Sequence, residues 1–193
     1  MQDFDSRIGW TRAGMFLSAI LLAVLGILCF VAHGIMPEPL HKPILPDGYT
    51  PGGIYAGIVM LVTGVVLCAA YKMAGGSRNL SGFMILTGVF SLFDGVAILA
   101  DPFCGTLSYE WVVAVLFGLW GFLAFLEGIC AGRTIGYKGW GLQVILGLIM
   151  VLFAVGVLLD SSKASIMAGG AVICGAIEVA VIPVFGKSIK LAK

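Results

Sequence analysis

Charge is what this sequence has least of. Only 11% of its 193 residues are Asp, Glu, Lys or Arg, against about 25% in a soluble domain. Hydrophobic residues make up 60% and the mean hydropathy is +1.09. A soluble enzyme and a disordered chain are both excluded by that balance. The formal net charge is +1, so the basic patch that marks a nucleic-acid binder is missing as well. Histidine occurs twice and cysteine five times. Cys29, Cys68, Cys130 and Cys174 are scattered through apolar segments without metal-ligand spacing, and Cys104 stands alone, so neither a metal site nor a disulfide framework is expected. There is no phosphate-binding loop, no dinucleotide fingerprint and no zinc-protease motif.

What is there is a series of long apolar runs. A helix needs about 20 apolar residues to cross a hydrocarbon layer of about 30 Å. Six stretches qualify: residues 14–32, 54–71, 80–100, 111–131, 140–159 and 165–185. None alternates with the two-residue period of a membrane β-strand. The first run is longer than a signal-peptide core and lacks a small-residue cleavage site, so it is expected to be a retained helix. The predicted fold is therefore an all-α, multi-pass membrane domain covering residues 1–193.

Charges fix the predicted orientation. With the N-terminus inside, the inner segments hold Arg7, Arg12, Lys72, Arg78, Arg133, Lys138, Lys187, Lys190 and Lys193, and the outer ones only Lys42 and Lys163. Nine of the 11 basic residues on one side is the positive-inside pattern and predicts both termini in the cytoplasm. Five of the seven prolines lie between His33 and Gly53 (Pro37, Pro39, Pro43, Pro46 and Pro51), where they disfavour helix and predict an ordered or semi-rigid outer loop. The remaining connections are short, so successive helices should be antiparallel neighbours. They group into three hairpins with a period of about 55–60 residues, suggesting an internal repeat. Leu17-Ser18-Ala19 and Leu80-Ser81-Gly82 open two odd helices, and Gly64, Gly121 and Gly175 mark the middle of the even ones. Glycines seven apart share a helix face at Gly57/Gly64, Gly88/Gly95 and Gly121/Gly128, where small residues let backbones approach. Trp10, Tyr71, Trp111 and Trp140 fall at span ends, as an interfacial aromatic belt would. Asn79-Leu80-Ser81 reads as a glycosylation sequon but falls at an inner membrane edge.

Three acids interrupt the apolar runs: Asp94, Glu127 and Glu178. An ionised carboxylate at mid-bilayer costs about 2.5–3.5 kcal/mol, so such residues face a bundle interior or water and are functional candidates by default. Asp94 shares a helix face with Thr87, Gly88, Ser91 and Gly95; Glu178 with Ala171, Cys174 and Gly175; Glu127 with Ala124, Gly128 and Ala131. At 1.5 Å per residue Asp94 lies about 21 Å from the inner end of its helix, while Glu178 lies about 20 Å from the outer end of its own. The three could form a staggered path for protons or ions. The plainer reading is structural: no lysine or arginine lies deep in a span to pair with them, and neutral acids bonded to carbonyls, Ser91, Thr87 or Gln143 would hold helices together. His33 and His41, flanking the outer loop, are candidates for sensing external acid, with solvated loop residues as the plainer reading.

Six short spans with inner termini in three hairpins, Leu80-Ser81-Gly82-Phe83, Gly95 with Pro102, Trp140, Leu142-Gln143, Gly147, and Gly175 with Glu178 resemble the HdeD-like family of small bacterial inner-membrane proteins. The resemblance covers about residues 14–190, and its departure is the longer proline-rich loop. It implies a non-enzymatic role in acid-stress resistance at the bacterial inner membrane and supplies no catalytic residues. The alternative from the residues themselves is a small proton, ion or solute transporter or channel using the intramembrane acids. No cofactor is expected. The lipid bilayer is the one partner the composition implies, with a second copy or another membrane protein left open.

Overall fold

The computed structural model describes residues 2–32, 51–70, 78–100, 109–134, 139–160 and 163–185. These form six helices: α1 (Gln2–Ala32), α2 (Pro51–Ala70), α3 (Arg78–Ala100), α4 (Tyr109–Thr134), α5 (Trp140–Leu159) and α6 (Ala164–Phe185). The all-helical expectation is met. Five helices are long and apolar enough to cross a membrane; α4 carries a shorter apolar stretch, Ala114–Cys130. α1 begins well before the apolar run that started near Gly14, because no proline opposes helix in the preceding residues. Pro183 sits in the last turn of α6, where its missing N–H costs little further helix. α5 is capped by Gly139 at its start and by Asp160 at its end, where the Asp160 N–H donates to Gly156 O at 2.9 Å; Lys163 Nζ then meets Asp160 Oδ2 at 3.1 Å.

The helices close into a ring, each packing on the next and α6 returning to α1, with α6 also leaning on α4. This makes α6 the central helix: 61% of its apolar window is buried, against 28% for α5 on the periphery. Its small residues, Ala168, Gly169, Ala171, Gly175 and Ala176, allow that crowding. Facing outward is a continuous apolar belt, with Phe93 75% and Leu159 83% exposed and Ile20, Leu152 and Val155 among the others. In water such a surface would drive aggregation; against lipid tails it is the expected exterior.

Three backbone seams hold the ring. Gly57 and Gly64 of α2 meet Gly95 and Gly88 of α3, Gly121 of α4 meets Gly147 of α5, and Gly26 of α1 meets Gly169 of α6. A methyl carbon on any of Gly64, Gly95, Gly121, Gly147 or Gly169 would come within 3 Å of a carbonyl oxygen of the facing helix. The closest seams thus join α2 to α3, α4 to α5 and α6 to α1, whereas the hairpins read from the sequence joined α1 to α2, α3 to α4 and α5 to α6. Those pairs are also in contact, but without glycine facing glycine.

Candidate functional site

Every helix turns at least one polar side chain inward: Ser18 on α1, Thr63 on α2, Thr87, Ser91 and Asp94 on α3, Glu127 on α4, Gln143 on α5 and Glu178 on α6. The interior is thus more polar than the exterior, the reverse of a soluble protein. Thr87 donates to Phe83 O at 2.8 Å and Ser91 to Thr87 O at 2.8 Å, so both hydroxyl protons go to the backbone of α3 rather than to Asp94. Tyr55 donates across the α1·α2 contact to Leu21 O at 3.2 Å.

The glycine seams place the glutamates. Gly121 and Gly147 are level on antiparallel helices. Glu127 lies about 9 Å beyond Gly121, and Gln143 about 6 Å from Gly147 in the same direction. On the other side the Phe117 ring sits where a side chain on Gly175 would go, so Phe117 is level with Gly175, and three residues on, Trp120 is level with Glu178. Phe117 and Trp120 stack with ring centroids 5.1 Å apart. The result is a ladder across three helices: Trp120 beside Glu178, Gln143 below, and Glu127 at the foot. Gln143 faces both carboxyls and Trp120 faces Glu178. None of these contacts reaches full hydrogen-bond geometry, and Glu127, Glu178, Gln143 and the Trp120 Nε1 all keep buried polar atoms without a partner.

The two carboxyls lie close enough to act on one another electrostatically, and no lysine or arginine among the described residues compensates them. Two ionised glutamates here would repel in a medium that screens poorly. One neutral acid removes the repulsion and adds a donor, which the Gln143 carbonyl or the other carboxylate can accept. The arrangement can therefore hold or pass a proton without any further group.

Of the residues singled out in the sequence, Glu127 and Glu178 come together around Gln143. Asp94 does not join them. It is buried on α3 with Oδ2 unpartnered, near the end of the bundle where α3 finishes, whereas the glutamates lie toward the end where α4 and α6 finish. His33 and His41 lie outside the described residues. Trp120 was not singled out in the sequence, although it precedes Glu127 by seven residues and so shares its face. Among the described residues no group of three His, Cys, Asp or Glu side chains could hold a metal ion. Compared with known proteins, the chain matches no family model, no curated protein and no solved structure.

Proposed function

We propose that this chain is a multi-pass protein of the bacterial inner membrane, of the HdeD-like kind, with a non-enzymatic role in acid-stress resistance exerted through Glu127, Gln143 and Glu178. The observation that carries the reading is the pair of neighbouring glutamates buried without a counter-charge. Such a pair changes its packing when it gains or loses a proton, and acid is the signal that supplies one. With both acids neutral, α4 and α6 draw together on Gln143; with both ionised, they are pushed apart. The topology proposed with it has six crossings. At 26 residues α4 is about 39 Å long, enough to span even though its apolar stretch is shorter. An even number of crossings and the bias of basic residues support both termini lying in the cytoplasm. Three glycine seams, each joining an even helix to an odd one, support a three-fold repeat.

The test is survival of cells lacking the protein, complemented with wild type or Glu178→Gln, across external pH. The reading expects wild type to restore survival in acid and the variant, which cannot ionise, to fail. Equal survival with and without the protein at every pH refutes it. Acid sensing at His33 and His41 is tested in the same strain, where full rescue by the double alanine variant removes the histidines from the proposal.

A second reading, transport of protons or a small solute, is favoured by the polar side chain that each helix turns inward. It expects pH-dependent flux in liposomes that Glu178→Gln abolishes, and unchanged flux in that variant eliminates it.

A further inference from the structure

The outer surface of the α1·α6 seam carries a groove of about 270 Å³ with wholly apolar walls. Phe16, Ala19 and Ala23 line it from α1, and Ile173, Ala176 and Ala180 from α6. Its origin is in the sequence. Alanines four apart on both helices leave the seam shallow, while Phe16 and the neighbouring isoleucines stand up on either side. In a bilayer a furrow of this kind is filled by hydrocarbon, since an empty one forfeits dispersion contacts along its length.

The groove has a charged foot. Arg12 lies one helical turn before Phe16 on the same face of α1, about 6 Å nearer the end of the bundle where the chain begins. The register set by Gly26 facing Gly169 makes Arg12 level with Pro183, in the last turn of α6. That is the depth at which hydrocarbon gives way to headgroups. Arg12 is half-buried, and its Nε has no hydrogen-bond partner among the described residues. The single acid of α6, Glu178, is turned into the core and does not serve it. Nε itself is closed off by surrounding atoms, so the terminal nitrogens of the fork, which are not buried in this way, are the donors a phosphate of matching geometry can reach. Basic side chains between helices at the membrane surface suit anionic headgroups.

We infer that the α1·α6 seam is a binding site for one anionic phospholipid, its phosphate held by Arg12 and one acyl chain laid in the groove. Because Arg12 is at the foot of the groove, the lipid belongs to the leaflet on the side of the chain termini.

The test uses the full chain, purified in neutral detergent and stripped of lipid, with binding of phosphatidylglycerol and of diacylglycerol, which has the same acyl chains and no phosphate, followed by native mass spectrometry. Wild type should bind phosphatidylglycerol about tenfold more tightly, the effect expected of one charge-assisted contact. Arg12→Gln should bring the two lipids to equal affinity, and Ala23→Phe, which fills the half-buried groove, should weaken both. Inorganic phosphate, having no acyl chain, should not displace the lipid. Arg12→Gln retaining the wild-type preference overturns the site, as does Ala23→Phe binding both lipids undiminished or free phosphate displacing the lipid. Should Ala23→Phe fail to fold, Arg12→Gln decides alone. The inference rests on the membrane reading above. Recovery of the chain from the water-soluble fraction of cells would overturn that reading, whereas equal lipid affinities in wild type would overturn only the lipid site.

Discussion

Replacing Gly147 by alanine tests whether the glycine seams set the register of the site. A methyl carbon at Gly147 would lie 2.5 Å from Gly121 O and 2.7 Å from Phe125 N, both backbone atoms of α4. Neither can swing aside as a side chain would. An ordinary contact needs about 3.4 Å, so α4 and α5 must part by roughly 0.9 Å. Overpacking of this kind costs about 1–3 kcal/mol, and rigid neighbours put it at the upper end. Alanine recovers about 1 kcal/mol of helix propensity, leaving a net loss of about 2 kcal/mol. For a domain of this size that is roughly 4–8 °C in melting temperature. Gly141, on the same helix, is the control: nothing lies within 4 Å of its added methyl. Gly141→Ala, in the first turn where propensity counts for less, should therefore melt no lower than wild type. Thermal unfolding of both variants in detergent measures the difference. Gly147→Ala melting as high as Gly141→Ala would falsify the argument that backbone contact at this seam fixes how Gln143 meets the glutamates.

Other variants probe the site and its frame. Glu178→Met replaces a buried group that lacks full hydrogen bonds with an apolar one of similar length; it should leave stability unchanged or raise it by about 1 kcal/mol while removing the acid-survival phenotype. A loss of folding instead would show Glu178 to be needed for assembly. Tyr55→Phe deletes the bond to Leu21 O and should cost about 0.5–1.5 kcal/mol, read as a lower melting temperature. Lys163→Ala breaks an ion pair whose side chains are 59% and 41% exposed, so its effect should stay within about 1 kcal/mol and shrink further in high salt.

Much of the site was legible as a list and not as a place. Asp94, Glu127 and Glu178 stand out because an acid in an apolar run is chemically conspicuous. That Glu127 and Glu178 meet while Asp94 stays apart follows from α6 leaning on α4, and nothing local signals it. Trp120 escaped notice because in an apolar helix an indole looks like any other bulky residue; only Glu178 beside it gives its N–H a role. Thr87 and Ser91 looked like partners for Asp94, but each has a carbonyl of its own helix one turn back within reach, and local geometry prevails.

The sequence by itself determined that the chain forms six apolar helices, because helix formation in an apolar run of about 20 residues depends only on satisfying the backbone within that run. Tertiary structure alone decided that α6 closes back on α1 and leans on α4, and at what register and through which faces the helices meet. The helices are apolar nearly all round, and lipid does not push one face inward, so no amphipathic stripe announces the contact side. The choice falls to close backbone approach at a few of 28 glycines, and whether a glycine lacks room for a methyl group is a property of the facing helix rather than of its own.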